Sequence, residues 1–410
     1  MKKNLILLFV FIFLLGGAWV IFPGSVDHNS NFSPGYVRTF NRNAVTDSTD
    51  AAVYNPAGVT KLDDGLYVSV NNQFIFKNYS HKTTSDTYAA KNPTPLLPSV
   101  FTVFSKNRWG AFAAFTVPAG GGSLKYKDGI VDTAVLEALG HGPDVYGFSA
   151  YYAGSLGGAY AFNDMISVSL GGRFMYAKNT NKITLNKTIQ AINPLGPSTD
   201  TLMEFEESAS GFGGIIGINI SPIKDLNIGV RYETITKLEF EVDKSTDNGS
   251  FLGLPPLTEA KGTTRDRDLP PLFGLGVSYL IIPELKVEAS FNYYFTKQAD
   301  WDGDEDDHKN GYELGAATEY SILSNLKASV GFLYTNQGAD KESYEYLHPA
   351  LDAISVCGGA LYEVMPDLNL ELGISGSFYL EDDGISEFAQ PVTLNKKVLN
   401  IALGASYKIF

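Results

Sequence analysis

Beyond Leu62 the chain alternates apolar and polar residues over long stretches. Leu368, Leu370, Leu372, Ile374, Phe378 and Leu380 form one row, broken only at Gly376, while Asn369, Glu371, Gly373, Ser375 and Ser377 form the other. Leu285, Val287, Ala289, Phe291, Tyr293 and Phe295 alternate in the same way with Lys286, Glu288, Ser290, Asn292 and Tyr294. Residues 166–176, 226–232, 326–334 and 399–409 repeat the pattern. A period of two means a strand whose two faces meet different surroundings. Runs of about ten such residues suit a tilted strand crossing a bilayer.

A β-sandwich would show the same alternation, so the connections decide. Short turns recur at Ser105–Arg108, Asn163–Met165, Lys224–Leu226, Pro283–Leu285, Ser324–Leu326 and Pro366–Leu368. Long connections separate them: 77–94, 118–146, 186–200, 241–268, 297–310, 337–350 and 381–395. Short turns on one rim and long loops on the other are the habit of outer-membrane barrels, and a sandwich has no reason to segregate them. The chain therefore predicts an all-β fold, a transmembrane antiparallel β-barrel of about fourteen strands over residues 62–410. Its apolar row, with Leu370 and Val287, faces lipid. Its polar row, with Lys286, Glu233, Glu288, Glu313, Glu319 and Glu371, faces the lumen. Tyr232, Phe295, Tyr320, Tyr334 and Tyr407 fall near strand ends, where an aromatic girdle belongs.

The chain ahead of the first strand behaves differently. Residues 1–25 read as an export signal, with two lysines and an apolar run from Leu5 to Leu15. From Gly24 to Thr49 the residues are mostly small or polar and neither period dominates. Asp47–Gly58 then closes on Asn55-Pro56-Ala57-Gly58, where Asn caps a helix or builds a turn and Pro suits a first helical turn. Alone, Asn-Pro is an ordinary turn. Between an irregular polar segment and a run of strands, it marks the end of a plug, residues 26–61, that the barrel wraps. Arg38 and Arg42 lie in that plug and need carboxylate partners, from the inward row or from the head group of a bound acid.

Composition narrows the function. With a net charge of −14 and a pI near 4.8, the chain is a poor partner for nucleic acid. Cys357 is the sole cysteine, so no internal disulfide is expected. The five histidines lack metal-ligand spacing, and no nucleophile elbow, zinc motif or phosphate loop is present. No enzyme activity, cofactor or metal is expected. The acidic run Asp300–Asp307 offers oxygen ligands for Ca²⁺ but lacks the spacing of an EF-hand, and reads better as a solvated loop.

Two stretches suggest a path for an apolar solute. Trp109–Phe115, with Phe112 and Phe115, runs into Pro118 and Gly120–Gly122, and such clusters weaken ladder pairing. This is the expected place for an opening in the wall. In the 118–146 loop, Asp132 is positioned to cap a short helix that presents Val135, Leu136 and Leu139 on one face and ends at Gly140. That face is either an apolar landing surface or a helix packed on other loops.

With the signal, the polar segment, Asp50-Ala51-Ala52-Val53-Tyr54-Asn55-Pro56-Ala57-Gly58 and the strands together, the chain resembles the FadL/TodX family of outer-membrane transporters for long-chain fatty acids and other hydrophobic compounds. The resemblance covers the mature chain, although its specific motif is short. It implies an N-terminal hatch inside a fourteen-stranded barrel and substrate capture among the outer loops. An internal pocket then passes substrate to a sideways exit near a kinked third strand. The expected partners are a hydrophobic small molecule and outer-membrane lipid, and the expected state is a monomer. One departure is at the carboxyl end, where Phe410 is in phase with Lys408, Ser406 and Gly404 rather than with Ile409, Tyr407 and Ala405. The family's ligand-contacting residues do not map onto this chain one by one. The rival readings are a structural or adhesive barrel and a general diffusion porin, which steady conductance in a planar bilayer would reveal.

Overall fold

The structure, a computed structural model, describes residues 30–84, 86–138, 140–254, 256–339, 349–385 and 391–410. The expected signal, 1–25, lies outside them. Fourteen strands span the barrel: β1 (Gly65–Lys82), β2 (Pro93–Lys106), β3 (Trp109–Tyr126), β4 (Pro143–Ala161), β5 (Ile166–Leu185), β6 (Thr201–Ile223), β7 (Leu226–Glu233), β8 (Leu272–Ile282), β9 (Leu285–Tyr294), β10 (Gly311–Leu323), β11 (Leu326–Asn336), β12 (Ala353–Met365), β13 (Leu368–Tyr379) and β14 (Pro391–Lys408). Each pairs antiparallel with the next, and β1 pairs with β14 from Tyr67↔Lys408 to Lys82↔Thr393, which closes the sheet. Closure removes the unpaired edges that so much strand would otherwise expose.

The alternation assigns the faces correctly. Leu370 is exposed on the outer surface, and Glu371 turns inward to reach Arg38. Lys286 likewise points into the lumen, 3.2 Å from Glu319. The strand ends differ from the expectation. Alternation fades after Tyr176, yet β5 continues to Leu185 and pairs with β6 throughout. Above the apolar band the outward row meets water, so it holds Lys178 and Lys182, which pair with Glu206 at 2.9 Å and Glu204 at 3.7 Å. The ladder persists where the hydrophobic signal does not. For the same reason much of the 77–94 and 118–146 stretches is strand, and short strands (Thr87–Ala90, Glu239–Asp247, Thr264–Asp266 and Asp382–Ile385) decorate the long-loop rim.

Residues 30–61 fill the lower lumen as a hatch. Helix α1 (Pro34–Thr39) is capped by Ser33, whose side chain accepts from the Tyr36 N–H at 3.0 Å, and Phe40 ends it in the left-handed region with φ 57°. Helix α2 (Ala51–Tyr54) stops at Asn55, and Pro56 opens a 3₁₀ turn to Lys61. The Asn55 side chain neither caps nor turns, contrary to the sequence expectation. Its amide donates to Val45 O at 2.9 Å and to Asn219 Oδ1 of β6 at 2.8 Å, fastening hatch to wall. Inward glycines let the hatch backbone approach closely: a Cβ on Gly276 would fall 2.7 Å from Ala44 N, and one on Gly373 2.7 Å from Pro34 O. At the opposite end the outer loops and the outer ends of the strands build an apolar core that includes Tyr126, Leu136, Leu185, Ile189, Phe205 and Leu394.

Candidate binding cavity and wall seam

Between hatch and loop core lies a cavity of about 160 Å³. Its floor is the hatch, through Ser30, Asn31, Tyr36 and Phe40. Its wall is the inner face of β1 and β10–β14, including Ile75, Lys77, Glu313, Leu333, Ser355, Ser375, Ser377, Lys396, Val398 and Asn400. Thr94, Leu97 and Gly120–Gly122 complete its side. These last residues come from β2 and β3, where the wall is irregular.

The β2–β3 ladder runs from Lys106↔Trp109 only as far as Val100↔Phe115. Above it, among the described residues, β2 pairs with β1 and β3 with β4, and no backbone ladder joins β2 to β3. Several local features produce this. Pro93, Pro95 and Pro98 in β2 have no N–H to donate. The β3–β4 register slips twice, between Thr116 and Ala119 and again between Ala119 and Gly122. Gly120 and Gly122 adopt φ of +88° and +68°, which bends β3 away from a regular ladder. The seam is held at its rim by Lys125 N donating to Asn92 Oδ1 at 2.8 Å. From inside, the Lys77 ammonium donates to Gly121 O at 2.5 Å and Ser123 O at 2.6 Å.

The charged residues of the hatch are engaged elsewhere. Arg38 donates to Glu371 at 2.8 Å and to Glu319 at 2.5 Å, with Ser329 at 3.1 Å, so its partners come from the inward row. Arg42 corrects the expectation: it grips Asp50 of the hatch itself through two bonds of 2.9 and 2.7 Å. The polar hatch segment is long enough to turn back on itself and satisfy its own cation. Arg231 of β7 also donates to Val53 O. Buried charges paired in this way cannot lose one partner cheaply.

The remaining candidates separate. Phe112 faces inward, buried in the hatch cluster with Val59, Phe101 and Tyr54. Phe115 is three residues on, hence on the other face, where it is exposed and stacks on Tyr152 with centroids 6.4 Å apart. The two do not share a site. Pro118 is buried at the first register slip. A helix does form at Ala134–Ala138 and includes Val135; a 3₁₀ turn (Val131–Thr133) leads into it, with Thr133 Oγ1 accepting from Ile130 N at 2.9 Å. Gly140 closes it with φ +78°. Leu136 packs into the loop core rather than standing as a landing surface, and Leu139 lies outside the described residues.

The acidic run is anchored by buried Trp301, whose Nε1 donates to Asp268 O at 2.8 Å, and by Arg267, 2.7 Å from Asp304. Asp266, Asp300 and Asp302 bring oxygens within 4.8 Å of one another. Partial burial and these like-charged neighbours push the Asp266 carboxyl above its ordinary range.

Sequence reasoning missed the residues that line the cavity. Lys77 and Lys396 are buried, and the Lys396 ammonium sits 5.0 Å from the Tyr79 ring centre and 4.6 Å from that of Tyr379. Inward parity above the hatch was the available signal. Tyr79 and Lys396 are register partners on β1 and β14.

Residues 33–408 match the model of the outer membrane protein transport protein family (OMPP1/FadL/TodX). No curated protein sequence matches the chain. Among solved structures it is similar to a FadL homologue of Pseudomonas aeruginosa, with 16% identity, a TM-score of 0.68, and coverage of 92% of this chain and 98% of that one. The Pseudomonas putida toluene transporter TodX gives 12% identity, a TM-score of 0.66, and coverage of 90% and 97%. The Ralstonia pickettii toluene transporter TbuX gives 15%, 0.62, and 88% and 94%. At these identities the likeness is one of fold.

Proposed function

The chain belongs to the outer membrane transport protein family OMPP1/FadL/TodX, whose members are outer-membrane transporters of hydrophobic compounds, and on that premise we propose that it takes up long-chain fatty acids and releases them sideways between β2 and β3. The observation that carries this reading is the stretch of wall without a β2–β3 ladder, lined by Gly120–Gly122 where it borders the cavity. Uptake on this reading is passive. An alkyl chain leaving water for apolar surroundings gains about 0.8 kcal/mol per methylene, and the wall opens toward the only apolar solvent available, the membrane.

Below the cavity an alkyl chain would have to separate Arg38 from Glu319 and Arg42 from Asp50, stranding buried charge. Lys77 and Lys396 outnumber Glu313 in the cavity wall, a balance that suits a carboxylate head on the side of the lysines. A cavity near 150 Å³ holds a group of about benzene's size, so a long tail must extend beyond it, into the seam.

The test is a cross-link. A Cβ on Gly122 would lie 3.5 Å from Thr94 Cβ, within disulfide range. Thr94→Cys with Gly122→Cys, in a Cys357→Ser background, joins β2 to β3 across the seam. Uptake of radiolabelled hexadecanoate should stop on oxidation and return on reduction. Uptake at the same rate in both states would favour a route past the hatch into the vestibule of about 910 Å³ below it.

A further inference from the structure

Two amide oxygens and one hydroxyl in the cavity lining have no partner among the described residues. Among the described residues, Thr94 Oγ1, Gln337 Oε1 and Asn400 Oδ1 are buried with no hydrogen-bond partner, and all three residues line the same cavity. Gln337 and Asn400 are 3% and 5% exposed, so bulk water does not cover them. They come from separate elements: β2, the segment after β11, and β14. Asn400 is held in place because its amide donates to Gln73 Oε1 at 2.6 Å, while its oxygen has no partner. Gln337 is fixed at its backbone, where its N–H donates to Asp352 Oδ1 at 2.8 Å. Buried acceptors without donors are costly, and the cost is recovered when a ligand supplies the donor. A bare hydrocarbon supplies none. An ionised carboxylate supplies none either, since both of its oxygens accept.

We propose that the cavity selects a long-chain acid bearing a hydroxyl close to its carboxyl end. This rests on the acid-cargo reading above and narrows it. The position follows from size. A cavity of about 160 Å³ encloses only the first few carbons of such a chain, so a hydroxyl further along would lie outside the reach of these acceptors. The carboxylate takes the cationic part of the wall, with Lys77 and Lys396, and the hydroxyl donates to Gln337 Oε1 or Asn400 Oδ1. A site built to bond a hydroxyl discriminates against the analogue that lacks it, because its own polar groups then stay unpaired.

The experiment is a competition read by native mass spectrometry on the intact chain in one mild detergent. The probes are hexadecanoic, 3-hydroxyhexadecanoic and 16-hydroxyhexadecanoic acids. The 3-hydroxy acid should bind about tenfold more tightly than either of the others, the increment of one well-placed hydrogen bond. Gln337→Met and Asn400→Leu should each shrink that preference, read as the ratio of 3-hydroxyhexadecanoate to hexadecanoate affinity within each variant. Because Asn400→Leu also removes the bond to Gln73, Gln337→Met keeps the test decisive if the former misfolds. Equal affinity for the three acids, or a preference unchanged in both variants, would overturn the selection proposed here and leave fatty-acid uptake standing. If none of the acids binds a folded barrel, the acid-cargo reading falls as well.

Discussion

The two ends of the lumen are closed by opposite chemistry. The hatch is a short polar segment secured by Arg38–Glu319, Arg38–Glu371 and Arg42–Asp50, and by side-chain bonds to the wall from Asn55, Asn43 and Thr49. The outer cap is an apolar cluster of loop and strand-end residues such as Tyr126, Leu136, Ile189 and Phe205. Ion pairs buried in this way have defined partners and tolerate little displacement, whereas apolar contacts are non-directional and can re-form around a greasy visitor. On the proposed reading a hydrophobic solute enters through the cap at small cost and meets its barrier at the hatch. The irregular wall lies beside the cavity that separates the two closures.

The largest effect should come from removing one closure at a time. Deleting residues 30–58 should leave a folded barrel that conducts ions steadily in a planar bilayer, while replacing residues 127–141 with a short Gly-Ser linker should leave conductance near silent. Leak from the second variant but not the first would invert the assignment of the seal.

Next in size is the charge network. Arg38→Gln strands Glu371, leaves Glu319 to Lys286 and Lys327, and should destabilise hatch docking by about 3–5 kcal/mol, seen as frequent current bursts and faster exchange of hatch amides. Leu136→Ala in the cap should cost about 2–5 kcal/mol of local stability without such bursts. Bursts of equal frequency in both would erase the distinction between the two closures.

Lys77→Met tests the boundary between them. Losing its bonds to Gly121 O and Ser123 O should cost about 1.5–3 kcal/mol per charged bond, before any relaxation of the kink. Amide exchange should rise at residues 120–124 and stay unchanged at 34–39. The smallest effect concerns the loop helix. Thr133→Val removes the bond from Ile130 N and should loosen residues 131–138 by about 1 kcal/mol in hydrogen exchange.

How much of this was legible varies by residue. Glu371 and Leu370 were assigned to opposite faces from parity alone, because a strand's period is two and the surroundings of a barrel differ on its two sides. The interruption at Gly120–Gly122 was legible because glycine and proline act on the backbone locally. The partner of Arg42 was not, since nothing in a sequence tells a cation whether its carboxylate sits eight residues away or across the lumen. Phe112 and Phe115 were grouped as one apolar stretch, although their own spacing already set them on opposite faces.

Local periodicity and turn chemistry thus determined the strands, the faces, the rims and the hatch motif, because each depends on residues near one another in the chain. Tertiary structure alone decided the cavity. Lys77, Thr94, Gln337, Lys396 and Asn400 meet there only because β1 pairs with β14 and the hatch stops short of the loop core. Closure of a sheet brings residues hundreds of positions apart into one register, and that register is the sum of all the pairings rather than a property of any one strand.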